Sequence, residues 1–439
     1  MFPINKALSS TGLPEPKTNA PGSHSDSGLV VVCALLVFAQ FGTAEPEFGF
    51  QGYYKHFSVA IDRNIDAKGL PVSEPPLGMA INRLRMSFSL YATDRIHFQA
   101  AYDLAPRIMD PMFADAESFL VSGFGDRYRV FDLDERLYPF ERDSVRSFSI
   151  RHNIDRLSAL FRLPFVDVTI GRQALAWGSG KTVAPTDILV PFSLTDLDVE
   201  ERSGIDGIRF RIPIGALSEF DAGYVAGENF DWEKSAAYVR GRFWVWSTDV
   251  IPTAIVFGNH MLLGIDLNRA IGGFGSWLEV AYTMVDLLHG GENETERDYL
   301  RATIGSDYSI TKNLYGFLEY HYSGAGKSDP DRYPLLFRDA AFTQSGIFLL
   351  GRHYTSVGMN YQITPLISGF GQLIYNASDN SFLVGPSVEY NIRSDVYFSL
   401  GGYIGVGEHA ESGGRRINFG SEFGGLYPDQ YFAAFRFYF

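Results

Sequence analysis

Along most of this chain apolar and polar residues alternate one by one, and nothing else in the sequence constrains the fold as tightly. In Arg83-Leu84-Arg85-Met86-Ser87-Phe88-Ser89-Leu90, the apolar residues Leu84, Met86, Phe88 and Leu90 take every second position. Arg83, Arg85, Ser87 and Ser89 take the others. Successive side chains point to opposite sides in a β-strand, so the segment predicts a strand with one apolar and one polar face. The next segment repeats the pattern, with Ile96, Phe98, Ala100 and Tyr102 set against His97, Gln99, Ala101 and Asp103. Only Thr93-Asp94-Arg95 separates the two, a tight turn. The alternation returns at Ile208-Phe210-Ile212, Val239-Gly241-Phe243-Val245, Leu278-Val280-Tyr282-Met284, Leu300-Ala302-Ile304, Val357-Met359-Tyr361-Ile363 and Phe382-Val384-Pro386-Val388-Tyr390. No stretch carries a long helical period. Pro386 removes a ladder donor and suggests a local bulge.

Connections between these segments alternate in length. Short ones fall near 93–95, 163–164, 247–249, 311–313, 364–365 and 393–395; long ones fall near 59–78, 106–145, 174–203, 287–297, 323–346 and 408–428. Every strand has an apolar face, and no second set of strands is present to cover it. Lipid can cover it, provided that the sheet closes so that no backbone group is left unpaired. The expectation is an all-β, transmembrane antiparallel up-and-down barrel of about 18 strands. Sixteen is the alternative, because the segments 146–163 and 249–270 are ambiguous. Composition agrees: mean hydropathy is close to zero, yet aromatics reach 15 %, as expected where lipid-facing and lumen-facing residues average out.

The apolar run within residues 28–41 is too short for a membrane-spanning helix, at about 14 residues. Followed by Gly42-Thr43-Ala44, it reads as a signal peptide over 1–44, which places the barrel at 45–439. Cys33, the only cysteine, lies inside it. The mature chain then has no disulfide or cysteine metal site, and no cofactor is expected. A net charge of −14 argues against a nucleic-acid partner.

The segment Tyr431-Phe432-Ala433-Ala434-Phe435-Arg436-Phe437-Tyr438-Phe439 puts Phe435, Phe437 and Phe439 on one face. It resembles the closing strand of the bacterial outer-membrane protein superfamily, whose terminal Phe is read by the outer-membrane assembly machinery. That resemblance implies an outer-membrane location, with lipid and lipopolysaccharide around the barrel. Gly171-Arg172-Gln173…Trp177-Gly178 resembles a pattern of porin-like outer-membrane families and names no substrate.

Parity places Arg83, Arg85, Arg156, Arg162, Arg209, Arg211, Arg240, Arg242, Arg301, Arg352 and Arg436 on the lumen side. It places Asp103, Asp167, Asp266, Glu279, Asp307, Glu319 and Glu389 there too, so the wall is expected to lean positive. Basic side chains cannot face lipid near the midplane, where each costs about 2–4 kcal/mol. Two readings stand side by side: a basic ladder that attracts anions, or an ion-pair network that fills the lumen. The insertion 174–203 carries Asp187, Asp196, Asp198, Glu200 and Glu201. Folded inward, it would narrow the pore and set its carboxylates against the arginines. Outside, it would be a solvated loop. The histidines His97, His152, His321 and His353 are scattered, and no nucleophile or metal-ligand spacing appears, so catalysis is not expected. The resulting expectation is a porin passing small polar or anionic solutes. The alternatives are a sleeve or export conduit for a multihaem cytochrome or polysaccharide and, further off, an outer-membrane hydrolase. A homotrimer or a periplasmic partner is left open.

Overall fold

The computed structural model describes residues 45–62, 76–110, 127–133, 136–139, 147–287, 297–413, 416–418 and 420–439. The expected signal peptide and Cys33 lie outside the described residues. Among the described residues eighteen barrel strands follow the chain, besides the three-residue strands Arg136–Tyr138, Glu411–Gly413 and Arg416–Asn418: β1 (Glu47–Asp62), β2 (Leu77–Thr93), β3 (Ile96–Met109), β4 (Phe148–Arg162), β5 (Asp167–Gln173), β6 (Ile205–Ile214), β7 (Ser218–Val225), β8 (Ala236–Val245) and β9 (Thr248–Phe257) come first. Then come β10 (His260–Ile271), β11 (Phe274–Met284), β12 (Tyr299–Ser309), β13 (Leu314–Ser323), β14 (His353–Thr364), β15 (Ile367–Asn376), β16 (Ser381–Arg393), β17 (Val396–Val406) and β18 (Asp429–Tyr438). Each pairs antiparallel with its chain neighbours, and β18 pairs with both β17 and β1, so the barrel closes. Of the ambiguous segments, 146–163 supplies one strand and 249–270 a hairpin turning at Gly258-Asn259, which settles the count at 18.

The wall obeys the period of two. Outward positions such as Ile304, Leu318 and Leu400 stay more than half exposed, the arrangement a lipid-covered surface needs. Inward positions hold the charged residues together with buried apolar ones such as Phe57, Tyr238 and Phe257. Long connections collect at one end and short turns at the other, with exceptions at Gly258-Asn259 and 377–380, which are tight turns at the long-loop end. The bulge expected at Pro386 is absent: Gly371 opposes Pro386, and the ladder to β17 skips Gly385 and Pro386 but resumes in the same register, from Val384–Ile404 to Ser387–Gly401. Pro386 faces outward and the ladder passes it without a slip.

A bulge occurs instead in β4. Ala101 opposes Arg156 and Tyr102 opposes Ile154, leaving Asp155 as the extra residue. An extra residue reverses the phase of a strand, so two consecutive side chains point the same way. Asp155 and Arg156 are accordingly both buried on the inner side.

Candidate functional site: the lumen and its crossing loop

The connection from β5 to β6 runs through the lumen. Leu175, Trp177, Ile188, Leu189 and Val190 pack with the inward residues Tyr238, Ile255, Phe257 and Leu262 of β8–β10 in one apolar cluster. Trp177 meets Tyr238 edge-on, with ring centroids 4.7 Å apart. This burial holds the loop's first and middle portions against the wall without charge.

Two wall carboxylates grip the loop's backbone. Glu319 of β13 accepts from the N–H groups of Lys181, Thr182 and Val183 at 2.6, 3.0 and 3.2 Å. Glu279 of β11 accepts from Ser179 and Gly180 N–H at 3.0 and 3.3 Å, and from Thr186 N–H and Oγ1 at 2.7 and 2.6 Å. Successive N–H groups turned to one side form a concavity suited to an anion, and here the anion belongs to the protein. Gly178 makes the turn possible: its φ is +85°, and a Cβ there would lie 2.4 Å from Ala184 Cβ.

The loop then reaches β18, β1, β2 and β4. Asp198 accepts from Lys55 Nζ at 2.7 Å and from Arg83 at 2.8 Å. Glu200 accepts from Lys55 at 2.8 Å, Arg436 at 3.0 Å and Tyr438 Oη at 2.6 Å. Glu201 lies 3.6 Å from Arg85 and 3.4 Å from Arg156. Wall acids complete the network: Arg83 and Arg85 reach Asp103 at 2.6 and 3.2 Å, Arg85 reaches the bulged Asp155 at 2.7 Å, and Arg436 binds Glu389. Lys55 has no exposed side-chain surface. Burial works against ionisation of Asp198, but Arg83 and Lys55 outweigh it and hold the carboxyl below its usual range. Glu200 is shifted the same way: burial opposes, and the bonds from Lys55 and Tyr438 prevail.

The other two loop acids do not touch the wall arginines. Asp187 pairs with Arg202 of its own loop at 2.7 Å, yet burial pushes its carboxyl up to about 6. Asp196 accepts from Ser193 N–H at 2.7 Å, and burial again pushes it up to about 6.

A second arginine set lines β6 and β8. Arg209 pairs with Asp221 at 2.6 Å, Arg242 with Asp249 at 2.9 Å, and Arg211 lies 3.6 Å from Asp167. Arg240 stands between them, and its Nε–H meets no acceptor among the described residues. The side chains of Arg211 and Arg242 remain 37 % and 54 % exposed, so these guanidiniums face the open lumen.

Inward parity thus gathers Arg83, Arg85, Arg156 and Arg436 at one wall and Arg209, Arg211, Arg240 and Arg242 at another. Arg301 belongs to neither set. It is buried behind the loop, donating to Pro185 O at 3.3 Å. Arg352 precedes β14 and donates to Gly326 O at 2.9 Å, at the long-loop rim. Arg162 sits at the opposite end beside the turn carbonyl of Asp94. The excess of positive charge on the wall is smaller than the expected list of acids implies, since Asp155, Asp221 and Asp249 also point inward and pair with arginines. Asp221 and Asp249 lie on short strands whose parity places them inward. Lys55 and Tyr438 were missed as well; each holds an inward position beside a residue whose direction is plain. Phe435, Phe437 and Phe439 lie on the outer face, with Gly52 and Phe439 exchanging backbone bonds at 2.8 and 2.9 Å.

Among solved structures, the chain is similar to OpdK of Pseudomonas aeruginosa, an outer membrane protein, at 8 % identity and a TM-score of 0.52, covering 90 % of this chain and 98 % of that one. It is similar to the outer membrane protein OprD of Pseudomonas aeruginosa at 9 % identity and 0.52, covering 91 % and 95 %. OccAB4 of Acinetobacter baumannii matches at 11 % identity and 0.51, covering 91 % and 99 %. OpdK has also been crystallised with vanillate, and that structure matches at 10 % identity and 0.50, covering 89 % and 98 %. Likeness at such identities shows a shared fold, the closed barrel. No protein-family model matches the sequence, and no curated protein does.

Proposed function

We propose that this chain is an outer-membrane channel through which small organic anions or zwitterions diffuse, guided by Arg209, Arg211, Arg240 and Arg242. The observation that carries the reading is the exposure of Arg211 and Arg242: these inward guanidiniums of β6 and β8 stay open to the lumen, whereas the loop acids Asp198 and Glu200 are engaged at another part of the wall. An ordered row of fixed charge lowers the barrier to counter-charged solutes while the wall acids prevent any one of them from staying. OpdK with bound vanillate, a small aromatic carboxylate, gives the proposal its solute size and charge. The expected lipid and lipopolysaccharide contacts would fall on the apolar outer face, and Phe435, Phe437 and Phe439 would serve the assembly machinery from there.

A sleeve for a folded cytochrome or a polymer draws less support, because the loop 174–203 packs its own apolar cluster inside the lumen. The test is planar-bilayer conductance of the purified barrel under a salt gradient. Open-channel current with a reversal potential favouring anions is expected. A silent barrel would overturn the channel, and strong cation selectivity would overturn the solute class.

A further inference from the structure

We infer that the loop tip Asp198–Glu201 is an internal clasp that holds the barrel's closing seam, between β18 and β1, independently of any solute. Every other neighbouring pair of barrel strands is joined by a turn or loop; β18 and β1 are joined by nothing but their ladder and side chains. That ladder runs from Tyr53–Tyr438 to Asp62–Asp429, with Gly52 and Phe439 exchanging one further pair of backbone bonds, and is shorter than the ladder on the other side of β1, which runs from Glu47–Tyr91 to Ile61–Leu77.

The seam also carries a charge problem. Lys55 lies directly opposite Arg436 across the seam and directly opposite Arg83 on its other side. Three inward cations therefore stand in one row over β18, β1 and β2, and like charges directly opposed destabilise a strand pair. The wall supplies acids only at the two ends of the row, Glu389 beside Arg436 and Asp103 beside Arg83. Among the described residues the middle cation finds its carboxylates in the loop: Asp198 bridges Lys55 and Arg83, and Glu200 bridges Lys55, Arg436 and Tyr438. Glu200 thus finds its partners only when β18 lies beside β1. The loop's apolar side supports the same place, since Leu197 packs against the buried cluster that includes Phe57, Val59 and Ala434 of the two seam strands.

The purified full-length protein with Asp198→Asn and Glu200→Gln tests this. Unfolding in urea, followed by loss of the compact electrophoretic band, should be about ten-fold faster or more than in the wild type. Two repairs separate a seam effect from a general one. A disulfide between Ser58→Cys and Ala433→Cys, outward register partners across the seam, should restore slow unfolding; one between Leu278→Cys and Ile304→Cys, on β11 and β12, should not. Adding Lys55→Gln, which removes the middle cation, should also restore much of the loss. A double variant as slow to unfold as the wild type would overturn the clasp. So would a loss that both disulfides repair equally, or that neither the seam disulfide nor Lys55→Gln repairs. If the double variant yields no folded barrel, the triple variant with Lys55→Gln decides: recovery of the barrel supports the clasp, and failure overturns it.

Discussion

Two stretches of the same inner wall use arginine in opposite ways. On β2, β4 and β18, Arg85, Arg156 and Arg436 are bound by loop carboxylates and wall acids, and the first two are nearly fully buried. On β6 and β8, Arg211 and Arg242 touch only acids of adjoining strands and keep much of their surface open. Both sets point inward, and the carboxylates of the loop 174–203 reach the first set and not the second. Inward position makes an arginine available; a second layer of carboxylates decides whether it becomes structure or stays free for solutes.

Breaking the buried side should have the largest effect. Arg85→Met would leave Asp103 and Asp155 with one cation fewer in a buried network, a loss of about 3 kcal/mol. The expected readout is a lower heat-denaturation midpoint with unchanged ion selectivity in whatever barrel remains. Next comes the loop's attachment. Glu319→Gln replaces an anion receiving three loop N–H groups and the Trp277 indole N–H with an amide that has one acceptor oxygen, costing about 1.5–3 kcal/mol. Single-channel traces should then show added flicker and a changed conductance.

The exposed side should respond the other way round. Arg211→Gln with Arg242→Gln should cost under about 1 kcal/mol, as exposed pairs do, while moving the reversal potential toward cations. A stability loss as large as that of Arg85→Met would erase the distinction between the two walls. The smallest effect concerns pH. Asp187 and Asp196 are raised to about 6 in the folded chain, so their protonated forms are favoured by folding. Their ionisation therefore costs stability, and that cost is relieved as pH falls through 6. Asp198 and Glu200 are depressed, so the stability they lend is present above about pH 4, the ordinary carboxyl range, and is lost as pH falls further. The denaturation midpoint should be higher at pH 5 than at pH 7.5 and fall again at pH 3. Asp196→Asn should flatten the upper part of that profile.

Most of the barrel was legible because lipid on one side and water on the other impose a strict period on each strand. The Asp155 bulge was legible in principle, since the apolar phase of Phe148, Ile150 and Ile154 jumps at Leu157 and Phe161, yet a fixed parity count passes over it. The role of Pro386 was misread because an outward-facing proline need not disturb register. The loop's anchors were not legible at all. Ser179 and Glu279 are 100 residues apart, Lys181 and Glu319 138, and Lys55 and Asp198 143. Nothing local in the chain says which acid meets which donor at such distances; only closure of the sheet brings them together.

The wall carboxylates Glu279 and Glu319 hold the crossing loop largely by its peptide groups, and peptide groups are common to nearly every residue. Lys181 illustrates the consequence: its N–H is fixed to Glu319, while its side chain, 43 % exposed, carries the ammonium to 3.6 Å from Asp307. The calibre and charge of the passage can therefore be rewritten at such a position, by exchange for a larger, smaller or acidic side chain, without dismantling the frame that carries it.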